Sequence, residues 1–156
     1  MNNEVLNAIK TRRSIRKYKA EQITDEQLDA ILEAGTYAAT GMGKQSPVIV
    51  VVQKPELIAK LSKMNAAVMG TTSDPFYGAP TVLIVLADPE RGTYVEDGSL
   101  VMGNLMLAAH TEGIGSCWIH RAKEEFESEE GKQILSDLGV TGEYEGCLLY
   151  TSPSPR

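Results

Sequence analysis

Apolar residues recur along the chain in two patterns, one typical of helices and one typical of strands. Spacings of three and four residues predict amphipathic helices over 3–10, 25–34, 55–69 and 123–138. Thr24–Gln27 is a predicted capping box for the second helix, and Gly35 is predicted to end it. In the last stretch, Phe126 is a predicted core position and Ser128 a predicted cap for the second part. Continuous apolar or β-branched runs predict short buried strands over 48–52, 81–87, 114–119 and 146–150. Helices and strands alternate, which indicates an α+β or α/β sandwich whose sheet is covered on both faces.

One long segment, 95–112, is apolar around most of a helical circumference, which predicts a buried central helix. Asp97 and Ser99 are its predicted N-terminal caps, and Gly113 is predicted to end it. Gly103 is expected to permit close helix packing. The segment carries more apolar surface than one small domain covers, so we expect an extensive dimer interface.

The composition is that of a single globular domain. The chain has 156 residues and a formal net charge of -6, which disfavours nucleic acid and anionic membranes as partners. No run approaches the roughly 18 apolar residues of a membrane span. Cys117 and Cys147 are too few for a disulfide framework and the start lacks a signal-peptide pattern, so we expect a cytoplasmic protein. His110 and His120 lack partners at metal-ligand spacing, so no metal is expected, and the acidic stretch 124–130 is interpreted as a solvated helix face.

The densest positive charge, at 11–19, is the strongest candidate for binding chemistry. Arg12, Ser14 and Arg16 alternate, so an extended segment would present all three on one side. Guanidinium groups with a neighbouring hydroxyl suit a phosphate or an anionic ring system. The alternative is a solvated basic turn without a ligand.

Two glycine-containing segments are further candidates for ligand contact. Loop 38–47 superficially resembles a phosphate-binding P-loop, but Gln45 stands where Ser or Thr would bind magnesium and a helix precedes the loop, so we reject that interpretation. At 113–115, two glycines flank one apolar residue and leave backbone N–H groups open to a flat ligand.

Four motifs, taken together and in this order, resemble the FMN-dependent nitroreductase family in its compact bacterial branch. They are RRSIR at 12–16, GMGKQSP at 41–47, Ala79-Pro80 before a strand, and NLMLAAHTEGIGSCW at 104–118. The resemblance extends over about residues 3–146. It implies an α+β, three-layer α/β/α sandwich with a mostly antiparallel, mixed central sheet and a long buried central helix.

The resemblance also implies an obligate homodimer with two FMN sites at the subunit interface. The implied cofactor-binding residues are Arg12, Arg13, Ser14, Arg16, Thr40, Gly41, Met42, Gly115 and Ser116. Arg12, Ser14 and Arg16 would hold the phosphate and the N1/C2-carbonyl side of the ring. For Arg13, the alternative to a contact with the flavin is a side chain that points to solvent.

The other two implied groups would approach the ring itself. Thr40, Gly41 and Met42 would reach the flavin from the partner subunit. Gly115 and Ser116 would lie against the ring and offer backbone N–H groups to its N5/O4 edge.

The implied activity is that of an NAD(P)H-dependent flavin oxidoreductase. NADH or NADPH gives a hydride to flavin N5 and leaves, and a nitroaromatic, quinone or similar small-molecule acceptor then takes its place. The flavin does the chemistry, so no catalytic side chain is expected, and a guanidinium near N1 would stabilise developing negative charge. The sequence leaves open the physiological acceptor and the choice between NADH and NADPH.

The C-terminus departs from the family. Relatives continue with a segment that crosses to the other subunit and completes the phosphate site, whereas 148–156 (LLYTSPSPR) does not resemble it. We therefore predict a nitroreductase-like domain over 1–147, followed by an atypical disordered tail or foreign reading frame over 148–156. Whether such a chain still binds FMN, dimerises or turns over stays open.

Two other functions are alternatives. The chain could be an FMN-binding carrier or sensor without turnover, or an inactive fragment. Relatives that dehalogenate iodotyrosine or fragment flavin need substrate-lid features, and the segment 70–94 is too short to supply them.

Overall fold

The computed structural model describes the backbone of residues 3–152 and the side chains of residues 3–146. The helices are α1 (Glu4–Thr11), α2 (Asp25–Thr36), α3 (Pro55–Met69), α4 (Tyr94–Thr111), α5 (Ala122–Glu127) and α6 (Glu129–Asp137). The strands are β1 (Val48–Val52), β2 (Thr81–Ala87), β3 (Cys117–Ile119) and β4 (Glu145–Ser152), and a 3-10 turn covers Gly41–Gly43.

The four strands form one sheet in the order β1-β2-β4-β3. Every pair of neighbouring strands is antiparallel, and Val48 of β1 lies opposite Leu86 of β2. Over residues 3–152, the parallel contact is a single isolated bridge between Ser14 and Ser116. The α+β prediction is confirmed, and the mixed character that it anticipated is limited to this bridge.

Helices cover both faces of the sheet, as the buried runs predicted. All seven residues of β2 are buried, and they alternate between two apolar cores. Val82, Ile84 and Leu86 pack with α3, α5 and α6. Leu83 and Val85 pack on the opposite face with α2 and α4. The molecule is therefore a three-layer sandwich.

The start of α2 follows the sequence prediction, whereas its end does not. The Thr24 hydroxyl accepts from the Gln27 amide at 3.2 Å, and Gln27 Oε1 accepts from the Thr24 amide at 3.1 Å, which completes a capping box. The helix continues through Gly35 to Thr36. A Cβ at Gly35 would lie 2.7 Å from Leu105 Cδ2, so this glycine lets α2 approach α4 rather than ending the helix.

Within the single chain, helix α4 is buried along one face, and part of its apolar surface stays exposed. Val101, Met102 and Leu105 lie in the core, while Leu100 is 50% exposed. Gly103 is also exposed, with open space around its missing Cβ, so it permits no close packing within one chain.

The predicted N-terminal caps of α4 are also wrong. The helix begins at Tyr94, and Thr93 occupies the N-cap position. Asp97 therefore lies inside the helix, where its carboxylate is buried and bonded to another part of the chain.

The glutamate-rich stretch 123–138 forms two helices, and the predicted cap at Ser128 lies between them. Ser128 ends α5 and caps α6, and its hydroxyl accepts from the Gly131 amide at 3.0 Å. Phe126 enters the core as predicted. Glu125 contradicts the solvated-face interpretation, because its side chain is 1% exposed and points between α5 and α3.

Strand β4 runs past the predicted end of the folded domain. Its backbone pairs with β2 and β3 from Glu145 to Ser152, so the first five residues of the predicted tail lie in the sheet. Residues 153–156 of that tail lie outside the described residues. Among residues 3–152, we find no helix with both the length and the apolarity that crossing a membrane requires.

Candidate functional site

Two of the predicted site segments meet in a seam between residues 12–16 and 114–116. The parallel bridge pairs Ser14 with Ser116, and the Ile15 amide donates to the Ser116 carbonyl at 2.9 Å. The Thr11 hydroxyl lies 2.9 Å from His110 Nε2, which holds the end of α1 against the end of α4. The basic segment is therefore fixed beside the turn that follows α4.

Arg12 offers an unpaired donor in this seam. Its Nη1 atom is buried and has no hydrogen-bond partner among the described residues. A buried guanidinium nitrogen without an acceptor costs free energy, because it has lost water and gained nothing in exchange. The side chains of Ser14 and Arg16 are exposed and make no hydrogen bond or ion pair with described residues. The seam therefore presents three free donor groups suited to an anion.

Arg13 has a different position from its neighbours. Its Nη1 atom donates to the carbonyls of Lys10 and Arg12, both at 2.8 Å. These carbonyls belong to the end of α1, where the helix leaves acceptors without partners. Arg13 thus stabilises the helix end, and its contact with a cofactor stays a prediction.

Gly115 is required for the approach of the basic segment. A Cβ at Gly115 would lie 2.9 Å from Ile15 Cγ2 and 3.0 Å from Ile15 Cβ. This glycine was predicted to lie against a flat ligand, whereas the nearest neighbour of its missing side chain is Ile15. Ser116 is buried, and its carbonyl is used by Ile15. Direct ligand contact by these two residues stays a prediction.

The third predicted group, Thr40 to Met42, lies on an anchored loop. Met42 is 92% exposed and has φ 54° and ψ 20°, in the left-handed region. The Thr40 hydroxyl donates to Gln45 Oε1 at 2.8 Å and accepts from the Gln45 amide at 3.0 Å. The Gly41 amide donates to Asp97 Oδ1 at 2.8 Å. This function of Asp97 was not predicted from the sequence, although a carboxylate within an apolar helix is a detectable signal.

One chain does not bring the loop and the seam together. The loop is anchored at Asp97, near the start of α4, whereas the seam is held at His110, near its end. Thirteen residues separate these two anchors, which corresponds to about 20 Å along a helix. Within one chain, the loop and the seam therefore lie near opposite ends of α4.

One cavity has none of the predicted site residues in its lining. It has a volume of about 980 Å³ and is bounded by α3 and residues 71–80. A smaller cavity of about 350 Å³ is lined by Thr40, Gln45 and Val101, beside the anchored loop.

A buried polar cluster between α3 and α5 was also missed. Asn65 Nδ2 donates to Glu125 Oε2 at 2.6 Å and to the His120 carbonyl at 2.8 Å, and Arg121 Nε donates to Asn65 Oδ1 at 3.0 Å. Glu125 Oε1 has no partner among the described residues. Burial raises the pKa of Glu125 to about 8, against the opposing effects of the Asn65 hydrogen bond and the Arg121 charge, while the Glu124 charge raises it further.

The fold and the seam define a three-layer α+β protein with a group of free donor side chains at the end of α4. A sequence model of this class, the Nitroreductase family, matches residues 9–150. The chain therefore belongs to the nitroreductase family.

Curated relatives agree with this assignment. A protein of Archaeoglobus fulgidus with the provisional name NADH dehydrogenase/NAD(P)H nitroreductase is 36% identical over 142 residues, which cover 88% of this chain and 77% of the relative. A protein of Methanothermobacter thermautotrophicus with the same provisional name is 33% identical over 124 residues, which cover 74% of this chain. The match spans 60% of the length of this second relative.

A solved structure has the same fold. The crystal structure of a nitroreductase with bound FMN from Bacteroides fragilis superposes with a TM-score of 0.91 at 30% sequence identity. The superposition covers 99% of this chain and 90% of that protein.

Proposed function

We propose that this chain is an FMN-dependent oxidoreductase that passes a hydride from NADH or NADPH to a nitroaromatic, a quinone or a similar small-molecule acceptor. The observation that carries the proposal is the buried, unpaired Nη1 atom of Arg12 beside the Ser14–Ser116 bridge. It is supported by the FMN bound to the Bacteroides fragilis relative and by the NAD(P)H nitroreductase names of the archaeal relatives.

The residues of the seam fit the anionic parts of FMN. Arg12 and Arg16 provide guanidinium donors, and Ser14 provides a hydroxyl, on a segment held in place by the bridge to Ser116. Charge-assisted hydrogen bonds of this kind are stronger than neutral ones and suit a phosphate or a ring carbonyl. We assign these three side chains to cofactor binding.

FMN, when bound, supplies the hydride and electron transfer between the nucleotide and the acceptor. The chain contributes binding and orientation. Arg12 and Arg16 would place positive charge where the cofactor carries negative charge, and such preorganised charge acts without further reorganisation. Thr40 to Met42 would close the ring side of the site from the other copy.

The proposed assembly is a homodimer. Val5, Leu6 and Ile9 of α1 are each more than half exposed, although they form the apolar face of an amphipathic helix. Leu100 of α4 adds to this exposed apolar surface. The separation of about 20 Å between loop and seam along α4 gives a second reason for two copies.

The first test is flavin binding by the purified chain. Bound or titratable FMN, bleaching by NADH or NADPH under anaerobic conditions, and recovery on adding a quinone or nitroaromatic are the expected results. Arg12→Gln should weaken FMN binding about 10- to 100-fold, the range expected for losing a charged hydrogen bond. Arg91→Gln is the matched control, because Arg91 forms a surface ion pair with Asp88 at 3.3 Å.

Each negative result has a defined meaning. FMN that binds and is not bleached by either nucleotide would favour the carrier or sensor alternative over an enzyme. Absence of FMN binding by the folded chain would refute the cofactor proposal. Equal FMN affinities of the Arg12→Gln and Arg91→Gln variants would refute the assignment of the seam.

The shared site is tested by mixing two damaged variants at an FMN concentration that fills wild type but neither variant alone. Arg12→Gln damages the seam, and Gly41→Val damages the loop, because a Cβ at Gly41 would overlap the Thr93 hydroxyl at 2.2 Å. Random reassociation makes half of the dimers mixed, each with one intact site of two, so about 25% of the wild-type activity should return. Mass spectrometry should show that mixed dimers have formed. If they have formed and no activity returns, both groups belong to the site of the same copy, which would contradict the proposal.

A further inference from the structure

The loop after α2 is attached to the rest of the chain through one buried carboxylate. Asp97 is 3% exposed and lies in the first turn of α4. Its Oδ1 atom accepts from the Gly41 amide at 2.8 Å, and its Oδ2 atom accepts from the Thr93 hydroxyl at 3.1 Å. Both oxygens are therefore occupied, one by the loop and one by the helix start.

Asp97 is an unusual residue to bury at this position. It makes no ion pair with the described part of the chain, so two neutral donors and the start of α4 compensate for its lost hydration. Burying an ionised carboxylate is costly, and such groups are retained where they fix a particular geometry. The geometry fixed here is that of Gly41.

Gly41 is adapted to this contact. A Cβ on Gly41 would lie 2.2 Å from Thr93 Oγ1 and 3.2 Å from Thr93 Cβ. Only glycine lets the loop backbone come close enough to α4 for its amide to reach Asp97. Carboxylate, hydroxyl and glycine thus form one unit, which we call the Asp97 clamp.

The clamp holds the next residue in an unusual conformation. Met42 has a left-handed backbone, which non-glycine residues rarely adopt, and its side chain is 92% exposed. A second pair of hydrogen bonds, between Thr40 and Gln45, closes the loop on the other side. Two sets of contacts therefore hold the exposed apolar side chain of Met42 outward.

We infer that Asp97 is the positioning residue of the cofactor site: the clamp sets the Thr40–Met42 loop in the conformation in which it covers the flavin of the other copy. The inference rests on the proposed function. Asp97 itself touches no cofactor and acts only through Gly41.

Three variants separate the clamp from general stability. Asp97→Ala removes both acceptors. Asp97→Asn keeps them in effect, because its Oδ1 can accept from Gly41 while its Nδ2 donates to the Thr93 oxygen. Met102→Ala is the control, since Met102 is a fully buried core residue of α4 that lies outside the clamp.

The first measurement is amide hydrogen exchange of Gly41 in the FMN-free protein. Asp97→Ala should accelerate it at least tenfold, while Asp97→Asn stays within threefold of wild type. Met102→Ala should lower global stability without selectively exposing Gly41. A Gly41 exchange rate unchanged by Asp97→Ala would refute the clamp, whether or not FMN binds.

The second measurement is the Kd for FMN. Asp97→Ala should raise it at least tenfold, with kcat at saturating FMN changed less than threefold, and Asp97→Asn should restore wild-type affinity. Faster Gly41 exchange with an unchanged Kd would overturn the positioning function while leaving the proposed enzyme intact. A wild-type protein that binds no FMN would instead overturn the proposed function, and the positioning function with it.

If Asp97→Ala does not fold, Gly41→Ala takes its place. It retains the carboxylate but cannot reach it, because of the overlap with Thr93. The expected changes in Kd are the same, and an unchanged Kd in this folded variant would refute the inference.

Discussion

The buried carboxyl of Glu125 should make the stability of the protein fall as pH rises. Burial raises its pKa from 4.5 to about 8 in the folded state. Between these two values the folded chain keeps a proton that the unfolded chain has already released. Folding stability must therefore decrease with pH across this interval, and the loss is complete above about pH 8.

The magnitude follows from the difference between the two pKa values. At about 1.4 kcal/mol for each pH unit, the full effect has an upper limit of about 5 kcal/mol. About 3 kcal/mol of this would already be lost at pH 7. Small domains are typically stable by only about 5–15 kcal/mol, so the effect is large enough to measure.

Glu125→Gln is the direct test, because it keeps the shape of the side chain and removes the titration. Its amide oxygen can accept from Asn65 Nδ2 as Glu125 Oε2 does. We expect the variant to match wild type near pH 5 and to exceed it by up to a few kcal/mol at pH 8.5. Urea unfolding at half-unit pH intervals, at a fixed protein concentration, measures this difference.

Glu127→Gln is the matched control on the same helix. Glu127 is exposed and pairs with Lys123 at 3.7 Å, so its loss should leave the pH dependence unchanged. If the free energies of unfolding of wild type and Glu125→Gln change in parallel between pH 5 and 8.5, the prediction is refuted. A change in the urea m-value would show instead that the variant altered the unfolded or native ensemble.

The remaining predictions concern the fold and the dimer. Thr24→Ala should lower stability by about 1 kcal/mol through loss of the capping box, and Thr24→Ser should restore most of it in urea titrations. Gly35→Ala should destabilise by roughly 1–3 kcal/mol, because its Cβ would lie 2.7 Å from Leu105 Cδ2, and a stability equal to wild type would contradict the close packing of α2 on α4. Leu6→Glu should shift the proposed dimer towards monomer in analytical ultracentrifugation, whereas Glu4→Gln on the same helix should not, and an unchanged sedimentation coefficient for Leu6→Glu would exclude this face from the interface.

Local features were predictable because their physical causes lie within a few residues. The Thr24–Gln27 capping box, the break at Ser128 and the buried run of β2 all depend on neighbouring side chains or on period. The alternation of Arg12 and Ser14 likewise indicated a group of donors on one side.

Burial of individual polar groups could not be predicted from local pattern. Glu125 lies in a run of acidic residues that indicates a solvated face, and it is buried because Asn65, 60 positions earlier, packs against it. Asp97 was predicted from the sequence to cap α4. In the structure its carboxylate instead accepts from the Gly41 amide, 56 positions earlier in the chain. Desolvation depends on which distant elements cover a residue, and this is decided only when the layers assemble.

The sequence by itself determined the fold class, most of the strands and helices, and the residue types of the proposed anion site, because periodicity, capping and charge act over short distances. The tertiary structure decided which of those residues meet. It joined Ser14 to Ser116 and anchored the loop at Gly41 near the other end of α4. Contacts across a hundred residues depend on the packing of whole layers, which no local pattern specifies.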